Sequence, residues 1–110
     1  MTDFDNPGEL QVSVRSEGTD LWVEAAGEVD ISTSPRWEKT ISDGLTTKPG
    51  RIYVDMHLVS FIDSSGLAVL ARCHALADSQ GCQLIVRAPS RQVDRVLALA
   101  GLNQHLTIEA

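Results

Sequence analysis

Two adjacent hydroxyls, Ser64 and Ser65, stand between an aspartate and a glycine in Asp63-Ser64-Ser65-Gly66, where an apolar segment gives way to a strongly helical composition. The first turn of a helix has backbone N–H groups without intrahelical partners, and both hydroxyls fall beside them. Two readings are open. In one, Asp63 is the N-cap, the serines are tolerated in the first turn, and Gly66 allows close approach to a sheet. In the other, one hydroxyl is a regulated modification point. A nucleophilic serine at a strand-to-helix turn needs glycine two positions before and two after it. Ser64 has Ile62 and Gly66 there, and Ser65 has Asp63 and Leu67. His57, His74 and His105 fall in a connecting segment, a helix and the C-terminal region, a poor arrangement for a triad base, so a hydrolase is set aside. Asp55 ends an apolar segment, as a phosphoacceptor carboxylate would in an open α/β sheet. The only lysines, Lys39 and Lys48, come too early to support that chemistry, which leaves Asp55 as a strand-end turn residue. Cys73 and Cys82 lie nine positions apart and have no histidine spacing suited to a metal, so no metal and no cofactor is expected.

The 110 residues correspond to one domain. With 43% hydrophobic and 22% charged residues the chain is an ordinary globular protein, and a net charge of −6 disfavours a partner made of phosphates. Direct nucleic-acid binding is therefore not expected. The first residues lack the basic and apolar parts of a signal peptide, and no apolar run approaches the about 18 residues that cross a bilayer. Together with the cysteine usage this predicts a cytoplasmic protein without a membrane partner.

The elements that must position these groups follow from periodicity. Residues 1–8 are polar, with Pro7 and Gly8, and are expected to form a flexible leader before a domain spanning 9–110. Leu10, Val12 and Val14 alternate with polar residues as one strand, Glu17-Gly18-Thr19-Asp20 is a turn, and Leu21, Val23 and Ala25 begin a second strand antiparallel to the first. Ser34-Pro35 predicts a helix with Ser34 as N-cap and Pro35 at its first position, and Trp37, Ile41 and Leu45 line one face. Residues 51–56 predict an interior strand covered on both faces, with His57 to Ile62 as a connecting segment. A helix runs from the Asp63 cap through Leu67 to Leu76 and ends near Gly81. Gln83 to Val86 is a strand, Pro89-Ser90 opens a last helix capped by Gly101, and His105 to Ile108 is a short edge strand. Strands alternating with helices predict an α/β fold: a small mixed, mostly parallel β-sheet flanked by helices, with the first strand as the antiparallel addition.

Two separated motifs carry a family resemblance. Gly27-Glu28-Val29-Asp30 is similar to a Gly-Glu-hydrophobic-Asp signature at the end of a second strand. Val54-Asp55-Met56 through Phe61-Ile62-Asp63-Ser64-Ser65-Gly66-Leu67 is similar to a second, more specific one. Together with the element order they cover nearly the whole chain, which resembles the STAS domain family and within it the bacterial anti-sigma factor antagonists. The resemblance implies a non-enzymatic module that binds an anti-sigma factor which is also a serine kinase, and that is released when phosphorylated. It places the phosphorylation on Ser65, reversal with a phosphoserine phosphatase, and a partner face on Glu28, Asp30, Asp63, Ser64, Ser65 and Gly66. Transcription would be regulated by partner switching. Asp30 has a plain alternative as an Asx-turn residue. Arg87, Arg91 and Arg95 either face an acidic partner or are solvated. Ala68, where relatives often have glycine, and His57-Leu58 depart from the pattern. The alternative function is a non-switching STAS scaffold, or an accessory subunit of a stress-signalling complex or lipid transporter.

Overall fold

A computed structural model describes residues 10–110; the flexible leader expected over 1–8 lies outside the described residues. The first two strands, β1 (Gln11–Glu17) and β2 (Asp20–Val29), form an antiparallel hairpin, turned at Gly18 with φ 62°. Then follow α1 (Ser34–Leu45), β3 (Arg51–Ile62), α2 (Ser64–Ser79), β4 (Gln83–Arg87), α3 (Arg91–Leu99) and β5 (Thr107–Glu109), with a short 3-10 turn at Leu102–Gln104 between the last two. The sheet order is β1-β2-β3-β4-β5, with β2, β3, β4 and β5 parallel to one another and β1 antiparallel to β2. The predicted mixed, mostly parallel sheet is therefore present, and the last strand is displaced to 107–109 because Leu106 turns into the core.

The buried side chains of all three helices join one cluster with one face of the sheet. Trp37, Ile41 and Leu45 of α1, Val69, Leu70 and Cys73 of α2, and Val93 and Leu97 of α3 meet Leu21, Val23, Ile52, Val54, Leu84 and Val86. The opposite face carries Trp22 and Tyr53, in register with each other and stacked with centroids 4.3 Å apart. Arg15 lies over the Trp22 ring at 4.6 Å, and Arg51 lies over Tyr53 at 5.9 Å. The expectation that residues 51–56 are covered on both faces by other elements is corrected: the second face is shielded by aromatic and arginine side chains of the sheet itself.

The segment His57 to Ile62, expected as a connection, is the second half of β3. Its pairing with β2 slips twice, between Glu24 and Ala26 and between Gly27 and Glu28, each time with one extra residue on β3. The bulges break the inside-outside alternation, so Met56, Val59 and Ile62 are buried while His57, Leu58, Ser60 and Phe61 are exposed. Asp55 lies at the first bulge, mid-strand and not at a strand end, and its Oδ1 accepts a hydrogen bond there from the His57 N–H at 3.1 Å.

The helix starts differ in their capping. Ser90 caps α3, accepting from the Val93 N–H at 3.3 Å and donating to the Val59 carbonyl at 2.7 Å, which ties α3 to β3. At α1, Ser34 is the first helical residue and Thr33 occupies the cap position without capping through its side chain. The Asp30 carboxylate takes over part of that task, as described below. Cys73 and Cys82 are both buried free thiols, and burial pushes Cys73 up to about 11, which keeps it from acting as a thiolate near neutral pH.

Arg72 on α2 makes a two-pronged pair with Glu38 on α1, with both nitrogen to oxygen distances at 2.8 Å. The guanidinium hydrogen bond holds the Glu38 carboxyl below its ordinary value of 4.5. Such a depressed carboxyl contributes stability above the unfolded-state value, and that contribution disappears as pH falls through the folded-state value. The pair is largely exposed, so Glu38→Gln is expected to cost about 0.2–1 kcal/mol at pH 7, with the gap closing as pH drops from about 5 toward 3. Urea unfolding of both proteins across that range measures it.

Candidate functional site

The C-terminal ends of β2 and β3 lie side by side: Glu28 is in register with Phe61 and Val29 with Ile62, and the Asp63 N–H donates to the Val29 carbonyl at 3.1 Å. This pairing brings the two motifs together, Glu28 and Asp30 at one strand end and Asp63 to Gly66 at the other.

Asp63 has an extended backbone and caps α2, as its residue type and position predict. One of its oxygens, Oδ1, accepts from the Ser65 N–H at 2.9 Å and the Gly66 N–H at 3.3 Å. The Ser65 hydroxyl donates to the same oxygen. Ser65 is half-buried and accessible, whereas Ser64 is exposed and has no side-chain hydrogen bond among the described residues. No hydrogen bond joins a histidine to either hydroxyl among the described residues; the side-chain partner of Ser65 is the Asp63 carboxylate.

Gly66 is where helix and sheet touch. A Cβ built there would lie 2.6 Å from Ile62 Cγ1 and 2.6 Å from Val29 Cγ1, both in the packed core. Gly66→Ala is therefore expected to destabilise the fold by about 1–3 kcal/mol through overpacking, although alanine is the better helix former. Thermal unfolding beside Ala68→Gly, which removes a methyl group from the same helix without adding one, separates the steric effect from helix propensity.

Asp30 is engaged by its own loop. Its Oδ1 accepts from the Ser32 N–H at 2.9 Å, the Ser32 hydroxyl at 2.7 Å and the Thr33 N–H at 3.1 Å. These bonds, the Ser32 hydroxyl foremost, hold its carboxyl below the ordinary aspartate range. Thr33 completes the turn by donating to the Glu28 carbonyl at 2.9 Å. Asp30 thus has the Asx-turn geometry that was one of its two readings. Glu28 is exposed beside it.

Three large apolar residues of this region stay in water: Ile31 is 80% exposed, Leu58 59% and Phe61 48%; of these the sequence singled out Leu58 as a departure from the family pattern and gave Ile31 and Phe61 no contact role. Phe61 is opposite Glu28, Leu58 opposite Ala26, and Ile31 follows Asp30. Large apolar side chains left in water along β3 and the loop after β2 describe a docking surface more readily than a catalytic cleft. The signal was the run Leu58, Val59, Phe61, Ile62, too apolar for a solvated connection.

Of the arginines, Arg87 is taken up by Glu109 at 2.8 Å and lies over Trp22, on the sheet face opposite the described helices. Arg91 and Arg95 are exposed on the first turns of α3. No group of three or more His, Cys, Asp or Glu side chains among the described residues is arranged to hold a metal ion. No helix among them is long and apolar enough to cross a membrane.

Comparison with known proteins agrees with this architecture. An anti-sigma-B factor antagonist of Bacillus subtilis (strain 168) is 26% identical over 101 residues, covering 92% of each chain. The crystal structure of an anti-sigma factor antagonist from Mycobacterium paratuberculosis superposes with a TM-score of 0.81 at 25% identity, covering 94% of this chain and 87% of that one. The Bacillus cell fate determinant SpoIIAA in its phosphorylated form has the same fold, with a TM-score of 0.71 at 19% identity over 91% of both chains. The STAS domain pattern itself matches residues 11–110, that is, all five strands and all three helices, and the chain belongs to the STAS domain family.

Proposed function

We propose that this chain is an anti-sigma factor antagonist that works by partner switching: unphosphorylated, it binds an anti-sigma factor that is also a serine kinase, and phosphorylation of Ser65 releases it. The observation that carries the reading is the accessible Ser65 hydroxyl at the start of α2, held by Asp63, on a chain that leaves Ile31, Leu58 and Phe61 exposed along the adjoining ends of β2 and β3. The apolar side chains supply contact area, and the hydroxyl sits where an added charge would meet the partner. The names of relatives at 26% identity support the general role. The phosphorylated Bacillus neighbour indicates that the fold is compatible with a phosphate.

A phosphoserine carries about −1.5 to −2 charges at pH 7. The first turn of α2 favours an anion by roughly 0.3–1 kcal/mol, so the fold survives the modification. The complex does not, because the added charge must be desolvated or repelled inside the contact. The chain does no chemistry of its own in this scheme: the kinase is the partner, a phosphoserine phosphatase resets the switch, and all of it takes place in the cytoplasm. Glu28, Asp30, Asp63, Ser64, Ser65 and Gly66 form the contact together with the three apolar residues.

The test uses Ser65→Ala as bait in an extract of the host cell, with the wild type incubated in parallel with that extract and ATP. One phosphate on the wild type, none on Ser65→Ala, and retention of a kinase by the bait are expected. A wild type that binds its partner but never takes up phosphate would instead make the chain a non-switching scaffold.

A further inference from the structure

The structure treats the two neighbouring serines unequally, and Asp63 is the cause. Its Oδ1 is fixed by two backbone donors, the N–H groups of Ser65 and Gly66, and the Ser65 hydroxyl donates to this already anchored oxygen. Ser64 is nearer to solvent, yet nothing among the described residues holds its hydroxyl. Accessibility alone would therefore favour Ser64. Building on the phosphoswitch reading above, we infer that Asp63 is a positioning residue that selects Ser65 over Ser64 as the phosphoryl acceptor.

The chemistry follows from where the proton points. A hydroxyl that attacks phosphorus must direct a lone pair at it and lose its proton in the opposite sense. With the O–H aimed at Asp63, the lone pairs of Ser65 Oγ are turned away from the carboxylate and toward an incoming nucleotide. The Oγ–phosphorus bond then forms as the bond from the γ-phosphorus of ATP to its bridging oxygen breaks, and ADP leaves with that electron pair. The proton passes to the Asp63 carboxylate and from there to water. One side chain thus caps the helix, fixes the rotamer of the acceptor and takes its proton.

The test separates these roles with two substitutions that keep a good N-cap, Asp63→Ser and Asp63→Asn. Both remove the charge, and only the second retains an acceptor of similar reach. Initial rates of phosphate uptake are measured over a range of chain concentrations, with clarified host-cell extract and ATP as the kinase source, and the phosphate is located by tandem mass spectrometry. Apparent kcat at Ser65 is expected to fall about 10- to 100-fold in both variants, within the range that a positioned proton acceptor supplies, beyond any change in KM from the contact that Asp63 also makes. Asp63→Ser is expected in addition to divide its phosphate between Ser64 and Ser65. Thermal unfolding shows that both variants are folded, and either one alone decides the matter if the other is not.

Wild-type kcat with phosphate only on Ser65 in the variants would overturn the inference. So would an effect confined to KM with kcat unchanged, which would make Asp63 a docking contact and nothing more. A wild type that takes up no phosphate is a different result, because it removes the phosphoswitch reading itself.

Discussion

Ser65→Asp is expected to bind the anti-sigma factor partner about 10- to 1000-fold more weakly than the wild type, and Ser65→Ala within about threefold of it. The reasoning starts from charge. The region already holds Glu28, Asp30 and Asp63, with Asp30 kept ionised by its hydrogen bonds to Ser32 and Thr33. A partner that fits this surface has been matched to those carboxylates and to a small neutral hydroxyl. One more carboxylate in the middle of the contact must be stripped of water or face repulsion, which costs roughly 1.4–4 kcal/mol, each 1.4 kcal/mol being a factor of ten. Removing the hydroxyl instead leaves Asp63 with its two backbone donors, so the cap persists and the surface hardly changes. Isothermal titration of wild type, Ser65→Ala and Ser65→Asp with the captured partner measures the three affinities, and equality among them would refute the switch. Ser64→Ala is the control, expected to behave as the wild type. Unfolding curves run alongside should differ little, because the start of a helix accommodates a negative charge.

The second large effect concerns the layer that holds α2 in place. Trp37 is the largest fully buried side chain, lying in the single cluster to which all three helices contribute. Trp37→Ala is expected to cost about 3–5 kcal/mol and to lower the unfolding midpoint by about 15–30 °C. Against the 5–15 kcal/mol typical of a domain, such a variant is marginal at best. Trp37→Phe should cost much less: it keeps most of the ring volume and removes an indole N–H that is buried without a hydrogen-bond partner among the described residues. Differential scanning calorimetry of the three proteins tests both the size and the order. A Trp37→Phe variant as damaged as Trp37→Ala would mean that the indole N–H is satisfied by water.

The parts of the molecule that were legible in the sequence are those whose causes lie within a few residues of each other. Asp63 caps α2 because a carboxylate at that position reaches the amides two and three residues on, and Ser90 caps α3 for the same reason. The Gly18 turn joins two alternating segments, and the spacing of Trp37, Ile41 and Leu45 marks one helix face. From such local signals the order of elements and the mixed sheet follow. Asp30 shows where the limit lies: its residue type allowed both a turn and a contact, and only the bonds to Ser32 and Thr33 reveal the turn.

The sequence alone, then, determined the α/β succession, the position of the two serines at a helix start, and the identity of the cap. Tertiary structure decided that His57 to Ile62 is a strand, since its two bulges exist only against β2. It also decided that Leu58 and Phe61 face water, that Arg87 is spent on Glu109 and Trp22, and that the three described helices all bury their apolar sides against one face of the sheet. The difference is one of range. A cap or a helix stripe is made by neighbours in the chain, whereas a bulge, an exposed apolar side chain or a cross-strand ion pair depends on residues that the fold brings from far away.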